Sequence, residues 1–205
     1  MNKLKFKCMK SKCGVCCYEV PKTLDSPSYK RIPLYPEEVD KLILFAQQRK
    51  IDFKVIEDIV FPDVLNQKIL VVCYRILLDN NDTCCPFFDK DISCTIHDSK
   101  PMACQAYPLA LKRIDAFNYE ITIDCLCNFV LSFYNELSNI DVNTLKNIFD
   151  KEYPKAEKFF RKNKRLMLKI REMEYEKKIK IPQKITVEEF KTYLNNWERS
   201  EIRVE

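Results

Sequence analysis

Glycine occurs once in this chain, at Gly14, and histidine once, at His97. Dinucleotide-binding G-x-G-x-x-G turns and phosphate-binding P-loops each need several glycines so that backbone can approach phosphate. Neither motif is present. A glycine-dependent Rossmann pocket, including the usual S-adenosylmethionine loop, is disfavoured on the same ground. No Ser–His–Asp set is suggested, and the acidic residues show no persuasive paired catalytic spacing. Long apolar runs are missing too. The longest, "ILVVCY", has the length of a buried strand and falls far short of the roughly 18 residues a membrane span needs. Residues 1 to 20 carry no apolar leader, so the sequence predicts a soluble, cytoplasmic protein.

The chain is otherwise rich in core-forming residues, 46% hydrophobic and 12% aromatic over 205 residues. That composition suits one globular domain with an appended helical piece and argues against disorder. Charge is unevenly placed. Residues 151–205 hold 16 basic and 10 acidic residues, net +6, while residues 1–150 hold 19 and 20, net −1. All 11 cysteines precede residue 128. The expected boundary therefore lies there: a cysteine-cluster metal-binding module over 1–128, and a helical, basic region over 129–205 packed on it.

Local patterns predict an α+β fold, a small irregular cysteine-rich module with short strands and helices followed by C-terminal helices. "YPEEVDKLILFAQQRK" reads as a helix, with Pro36 and two acids in its first turn and Val39, Leu42, Ile43 and Ala46 on one face. "QKILVVCYRILLD" reads as a strand. "CCPFFDKDISCTIH" reads as two short extended pieces around an Asp-rich turn. "SKPMACQAYP" opens a short helix capped by Ser99 and ended by Pro108. "LALKRIDAFNYEITID" reads as a two-stranded hairpin. "NFVLSFYNELSN", "VNTLKNIFDKEY", "KAEKFFRKNKRLMLKIREMEYEKKIK" and "TVEEFKTYLNNWERS" all carry helical periodicity.

Clustered cysteines in a cytosolic chain bind metal more often than they form disulfides, and an odd count leaves no complete intramolecular pairing. The spacing is C-x4-C-x2-C-C over Cys8, Cys13, Cys16 and Cys17, then Cys85, Cys94 and Cys104, then C-x-C at Cys125 and Cys127. A C-x2-C turn lets two sulfurs converge on one ion, and Gly14 lies inside it. On an extended backbone adjacent Cys16 and Cys17 would face opposite ways, serving two ions or leaving one to pack. Cys73 and Cys84 read as small buried hydrophobes.

"FKCMKSKCGVCC" with "CPFFDKDISCTIHDSKPMACQAYP" resembles the CxxCxxCC family, the YkgJ-like zinc- or iron-chelating proteins. The matching positions are Cys13, Gly14, Cys16 and Cys17, then Cys85 and Pro86, then Cys94, Ile96, His97, Pro101, Cys104 and Pro108. The resemblance covers about residues 6–128 and implies a bound metal or iron–sulfur cluster. Some relatives are flagellin lysine N-methylases, which implies a protein substrate as an enzymatic alternative. Cys8 departs from the family register, being separated from Cys13 by four residues instead of two. "DCLCNF" leaves Cys125 and Cys127 as alternatives for a late family cysteine. The family often has tyrosine where His97 stands, which favours a packing role there over a proton shuttle.

The candidate ligands are thus Cys8, Cys13, Cys16, Cys17, Cys85, Cys94, Cys104, Cys125 and Cys127. One structural zinc takes four ligands, fewer than these. Two zinc sites or an iron–sulfur cluster both fit the count, and the shortage of histidine leans toward iron–sulfur. The expected role is structural or redox. Between Lys155 and Arg171 stand eight basic residues and one acid, with Phe159, Leu166, Ile170 and Met173 at helical spacing. This is either an amphipathic helix with a solvated face or a phosphate-contacting surface for RNA or a ribonucleoprotein, using Lys158, Arg161, Lys162, Arg165 and Lys169; a membrane surface is a third reading.

Overall fold

The computed structural model describes residues 4–8, 14–17, 32–78, 84–115 and 118–204. The chain divides into two compact units: Met1–Ile32 with Leu77–Arg161, and Pro33–Ile76 with Lys162–Glu205. Both helices and strands are present, and the fold is α+β.

The second unit is built on a three-stranded sheet. Helix α1 (Pro36–Arg49) precedes it, opened by Pro36 and by the Glu38 carboxylate, which accepts the Tyr35 N–H at 3.0 Å. Strands β1 (Lys54–Asp63) and β2 (Lys68–Leu77) follow, and the sheet order is β1-β2-β7, with β7 (Glu198–Glu201) parallel to β2. Ile69 to Cys73 are buried without a break, as a central strand requires. Edge strand β1 carries Pro62, tolerable because among the described residues no further strand needs its missing donor.

Strand β1 was not anticipated from sequence, since its acids interrupt the apolar pattern. Those acids are paired: Glu57 with Arg199 at 2.7 Å and Asp58 with Arg75 at 2.7 Å. The helix expected through "WERS" also stops early. Helix α7 (Val187–Asn196), capped reciprocally by Thr186 and Glu189, gives way at Trp197, and Glu198–Glu201 join the sheet. Here a strand partner overrides local helical pattern.

In the first unit two small ladders sit among short helices. Strands β3 (Phe88–Asp89) and β4 (Ser93–Cys94) flank an Asp-rich turn, whose Asp89 carboxylate accepts the N–H groups of Asp91 and Ile92. Those two bonds hold the carboxyl below the usual range. Helix α2 (Met102–Ala106) begins after Pro101 and has no side-chain cap. Ser99, expected to cap it, lies instead in a preceding 3-10 turn, His97–Ser99. Strands β5 (Leu109–Arg113) and β6 (Tyr119–Ile123) pair as a hairpin; Asp115 accepts from both nitrogens of Asn118 at 2.8 Å, supplying the turn chemistry that glycine usually provides.

The predicted helix over 128–139 is broken at Phe133 into α3 (Asn128–Ser132) and α4 (Tyr134–Leu137). Helix α5 (Val142–Ile148) is capped by Asp141. Helix α6 (Glu152–Tyr175) begins in the first unit and ends in the second. Leu166 and Ile170 are buried as their spacing predicts. The core of the first unit joins Phe129, Val130, Leu145, Ile148, Phe149 and Tyr153.

Glycine scarcity leaves a mark. Lys50, Gln67, Ser93 and Lys177 all occupy positive φ, between 54° and 69°, where a Cβ is sterically disfavoured.

Candidate metal centre

The N-terminal segment is tied down before it reaches its first cysteine. The Phe6 N–H donates to the Ile148 carbonyl at 2.9 Å. Its ring meets Phe129 edge-on at 5.1 Å and Phe149 at 5.0 Å. Lys5 donates to the Asn147 carbonyl and the Asp150 carboxylate. Cys8 follows two residues later and is exposed at the site. Nothing local marks this anchor, because Phe6 has no local periodicity.

Gly14 to Cys17 form a single tight turn. The Cys17 N–H donates to the Gly14 carbonyl at 2.6 Å, and Val15–Cys17 are a 3-10 helix. Gly14 itself is buried. The extended backbone assumed for Cys16 and Cys17 is therefore not what forms. In a three-residue turn successive side chains are rotated by about 120°, not 180°, and the two sulfurs lie 3.9 Å apart. Cys13 lies outside the described residues.

A third segment docks on this turn by backbone. The Cys85 N–H donates to the Cys17 carbonyl at 2.7 Å, and the Cys85 carbonyl accepts from Phe88 at 2.9 Å. Phe88 is the ladder partner of Cys94. Thr95 donates both its N–H and its hydroxyl to the Phe87 carbonyl, holding the second strand in register. Cys17, Cys85 and Cys94 are thereby linked through a continuous backbone network.

Helices α2 and α3 supply the last pair. Cys104 lies in α2 and Cys127 stands at the N-cap position of α3, both buried. The C-x-C alternatives are separated by the Asp124 turn: its carboxylate accepts the Leu126 N–H and its carbonyl the Cys127 N–H. Cys125 is left exposed.

Cys8, Cys16, Cys104 and Cys127 line one cavity of about 40 Å³, together with Lys7, Lys100 and Glu152. That volume exceeds what one water occupies. Burial raises the Glu152 carboxyl above its usual range, and Lys100 pulls the other way. Glu152 lies at the start of α6, far in sequence from every cysteine, and nothing in the pattern marked it. Among the described residues, no three metal-ligating side chains converge closely enough to hold an ion by themselves. The donor set nonetheless fits a thiophilic metal. Thiolates at about 2.3 Å from a tetrahedral zinc stand about 3.8 Å from one another, close to the Cys16–Cys17 separation of 3.9 Å.

The remaining candidates lie elsewhere. Cys73 is buried in the other unit, its thiol donating to Asp58 at 3.6 Å, as a structural residue would. Cys84 is half-buried beside Cys85, and His97 is half-buried in its 3-10 turn. On α6, Lys158, Arg161, Arg165 and Lys169 are exposed, with Arg161 beside Glu157 and Lys169 donating to the Arg203 carbonyl. Lys162 is paired with Glu37 and sits over the Tyr35 ring at 4.7 Å.

Four chain segments presenting thiols to one another on short, irregular elements define a cysteine-rich metal-chelating module. A model of the CxxCxxCC family, described as a putative zinc- or iron-chelating domain, matches residues 7–128, more than half of the chain. The chain belongs to that family. No curated protein and no solved structure matches it.

Proposed function

We propose that the cysteine module holds an iron–sulfur centre, in preference to zinc, with a structural or redox role. One observation carries this reading: thiols from four segments, Cys8, Cys16, Cys104 and Cys127, line a single cavity. Cysteine number and the single histidine favour iron–sulfur. Cys13, Cys17, Cys85 and Cys94 complete the proposed ligand set, and of the C-x-C pair Cys127 is preferred to Cys125.

The chain's own residues set up the centre. Phe6 and Lys5 hold Cys8 in place, the 3-10 turn aims Cys16 and Cys17, and the buried ends of α2 and α3 present Cys104 and Cys127 away from water. An iron–sulfur cluster would supply one-electron transfer, whereas zinc would supply cross-links alone. For a structural zinc, apparent binding energies run about 10–16 kcal/mol, enough to decide whether this loop-rich module folds.

Anaerobic purification with visible absorption, iron and sulfide analysis tests the proposal. A brown sample containing iron and sulfide is expected. Colourless protein with stoichiometric zinc refutes the cluster and keeps the chelating site. Metal-free protein of full stability, or a Cys104→Ser/Cys127→Ser variant that keeps native metal and stability, refutes both.

A second reading uses the exposed basic residues of α6, Lys158, Arg161, Arg165 and Lys169, as contacts for RNA phosphates. Lys162 drops out of that set through its pairing with Glu37. Salt-sensitive RNA binding that weakens when Arg161 and Arg165 are neutralised supports it; absence of binding at low salt refutes it.

A further inference from the structure

In its second-unit part, helix α6 carries apolar residues on two sides, and only one side is buried. Leu166 and Ile170 are the buried pair. With about 100° between successive residues, Leu168 points roughly opposite to them. It is 54% exposed, its neighbour Met167 is 43% exposed, and Tyr175, two turns on, is 89% exposed. A single exposed apolar residue is normal on any surface. Three on the solvent side of one helix are surplus to seating it, since Leu166 and Ile170 already do that.

The charges around them are of one sign. Residues 164–171 hold four basic residues, Lys164, Arg165, Lys169 and Arg171, and no acid. Neither Lys164 nor Arg171 forms an ion pair among the described residues. Elsewhere the basic residues of this region are answered: Arg161 by Glu157, Lys162 by Glu37 and Lys178 by Glu176. The two acids flanking Tyr175 are engaged as well, Glu176 with Lys178 and Glu174 with the Ile181 N–H. Lys164, Leu168, Arg171 and Tyr175 follow one another at steps of four, three and four, so cation and apolar residue alternate along one stripe.

We infer that this outer face of α6 docks on an anionic lipid surface, with Lys164 and Arg171 at the headgroups and Leu168, Met167 and Tyr175 dipping between them. An interfacial helix needs both apolar area and cations, and here the two coincide. A second copy of the chain is a poor occupant, because it would set like charge against like charge. RNA would answer the charge and leave Met167 and Leu168 in water. The inference goes beyond the metal reading and does not depend on it, so either can fail alone.

Co-sedimentation of the full chain with lipid vesicles tests this. Binding to mixed phosphatidylserine–phosphatidylcholine vesicles at low salt is expected, with none to phosphatidylcholine alone and a loss as salt rises. Lys164→Gln/Arg171→Gln should weaken it about 25-fold, roughly fivefold for each charge. Leu168→Ala should weaken it about tenfold through lost apolar area. Val142→Ala removes a side chain of similar exposure, 53%, from α5 and should change nothing.

No vesicle binding at low salt overturns the inference. So does equal binding to neutral and anionic vesicles, or anionic binding that Leu168→Ala leaves unchanged, since charge alone then accounts for it. Single-stranded RNA is the competing arm, followed by fluorescence anisotropy. RNA binding that falls in Lys164→Gln/Arg171→Gln, without vesicle binding, reassigns the face to nucleic acid and overturns the lipid surface. Should Leu168→Ala alter the circular dichroism, Tyr175→Ala measures the apolar contribution in its place.

Discussion

Replacing Phe6 by alanine tests whether the N-terminal segment is docked to present Cys8. A fully buried Phe→Ala change destabilises by about 3–5 kcal/mol. Phe6 is half-buried, yet it holds two ring contacts, at 5.1 Å to Phe129 and 5.0 Å to Phe149, each worth about 0.5–1.5 kcal/mol beyond area. A loss of about 2 kcal/mol in docking follows. If Cys8 reaches the metal only when the segment is docked, the same energy appears as weaker metal binding, up to about 30-fold. Chelator-competition titration of Phe6→Ala beside Cys8→Ser and wild type measures this directly. Lys5→Ala is the control, because the Lys5–Asp150 ion pair is half-exposed at both ends and such pairs contribute about 0.2–1 kcal/mol. Unchanged metal affinity in Phe6→Ala, with several kcal/mol lost from global stability, would show that Phe6 only fills the core. Unchanged affinity and unchanged stability would remove the anchor altogether.

Cys125→Ser should leave metal content intact and Cys127→Ser should lower it; equal losses by elemental analysis would contradict the placement of Cys125 outside the cavity. Buried Asp63 accepts the N–H groups of Leu65 and Lys180 and the Asn66 amide, so Asp63→Ala should cost about 3 kcal/mol in urea unfolding, and a change under 1 kcal/mol would refute this role. Lys50 and Lys177 sit at φ 55° and 58°; Lys50→Gly and Lys177→Gly should each stabilise by about 0.5 kcal/mol, after the entropy of glycine in the unfolded chain is subtracted, and a lowered melting temperature would refute it. Burial, then the Asp58 charge, push the Cys73 thiol up to about 12. Since the folded value lies above the ordinary thiol value of about 8.5, its stabilising contribution is full below that pH and fades as pH rises toward about 12. Cys73→Ala should flatten the alkaline decline, and an equally steep decline in the variant would refute the assignment.

What could be read from sequence depended on whether the signal was local. Helix α1 declared itself through Pro36, its paired acids and its apolar face, and β2 through an unbroken aliphatic run. Strand β1 did not, because Glu57 and Asp58 look like surface charges until Arg199 and Arg75, distant in sequence or on the neighbouring strand, are placed beside them. The early end of α7 was hidden for the same reason. Its cause is a strand partner about 130 residues upstream. Cysteine spacing singled out which side chains deserved interest, and it left Cys125 and Cys127 equivalent. Only the Asp124 turn distinguishes them, burying one and exposing the other. The opposed Cys16 and Cys17 side chains of an extended backbone do not form, because adjacent side chains oppose each other in a strand but not in a 3-10 turn.

Charge at the cavity connects the thiol cluster to the rest of the chain. Four thiolates around one divalent ion leave a net charge of about −2, and a half-buried charge of that size is unfavourable unless it is compensated. Lys7 and Lys100 line the same cavity. They come from separate segments, one beside Cys8 and one preceding the helix that bears Cys104. Each therefore arrives with its thiol when that segment docks. Glu152 works against them, and burial raises its carboxyl above the usual range while Lys100 pulls it back. Cationic neighbours favour ionised sulfur, so at the proposed centre the docked cavity would attract a metal more strongly than the same thiols on an unfolded chain. In the proposed centre docking and ligation are thus coupled through charge as well as through geometry.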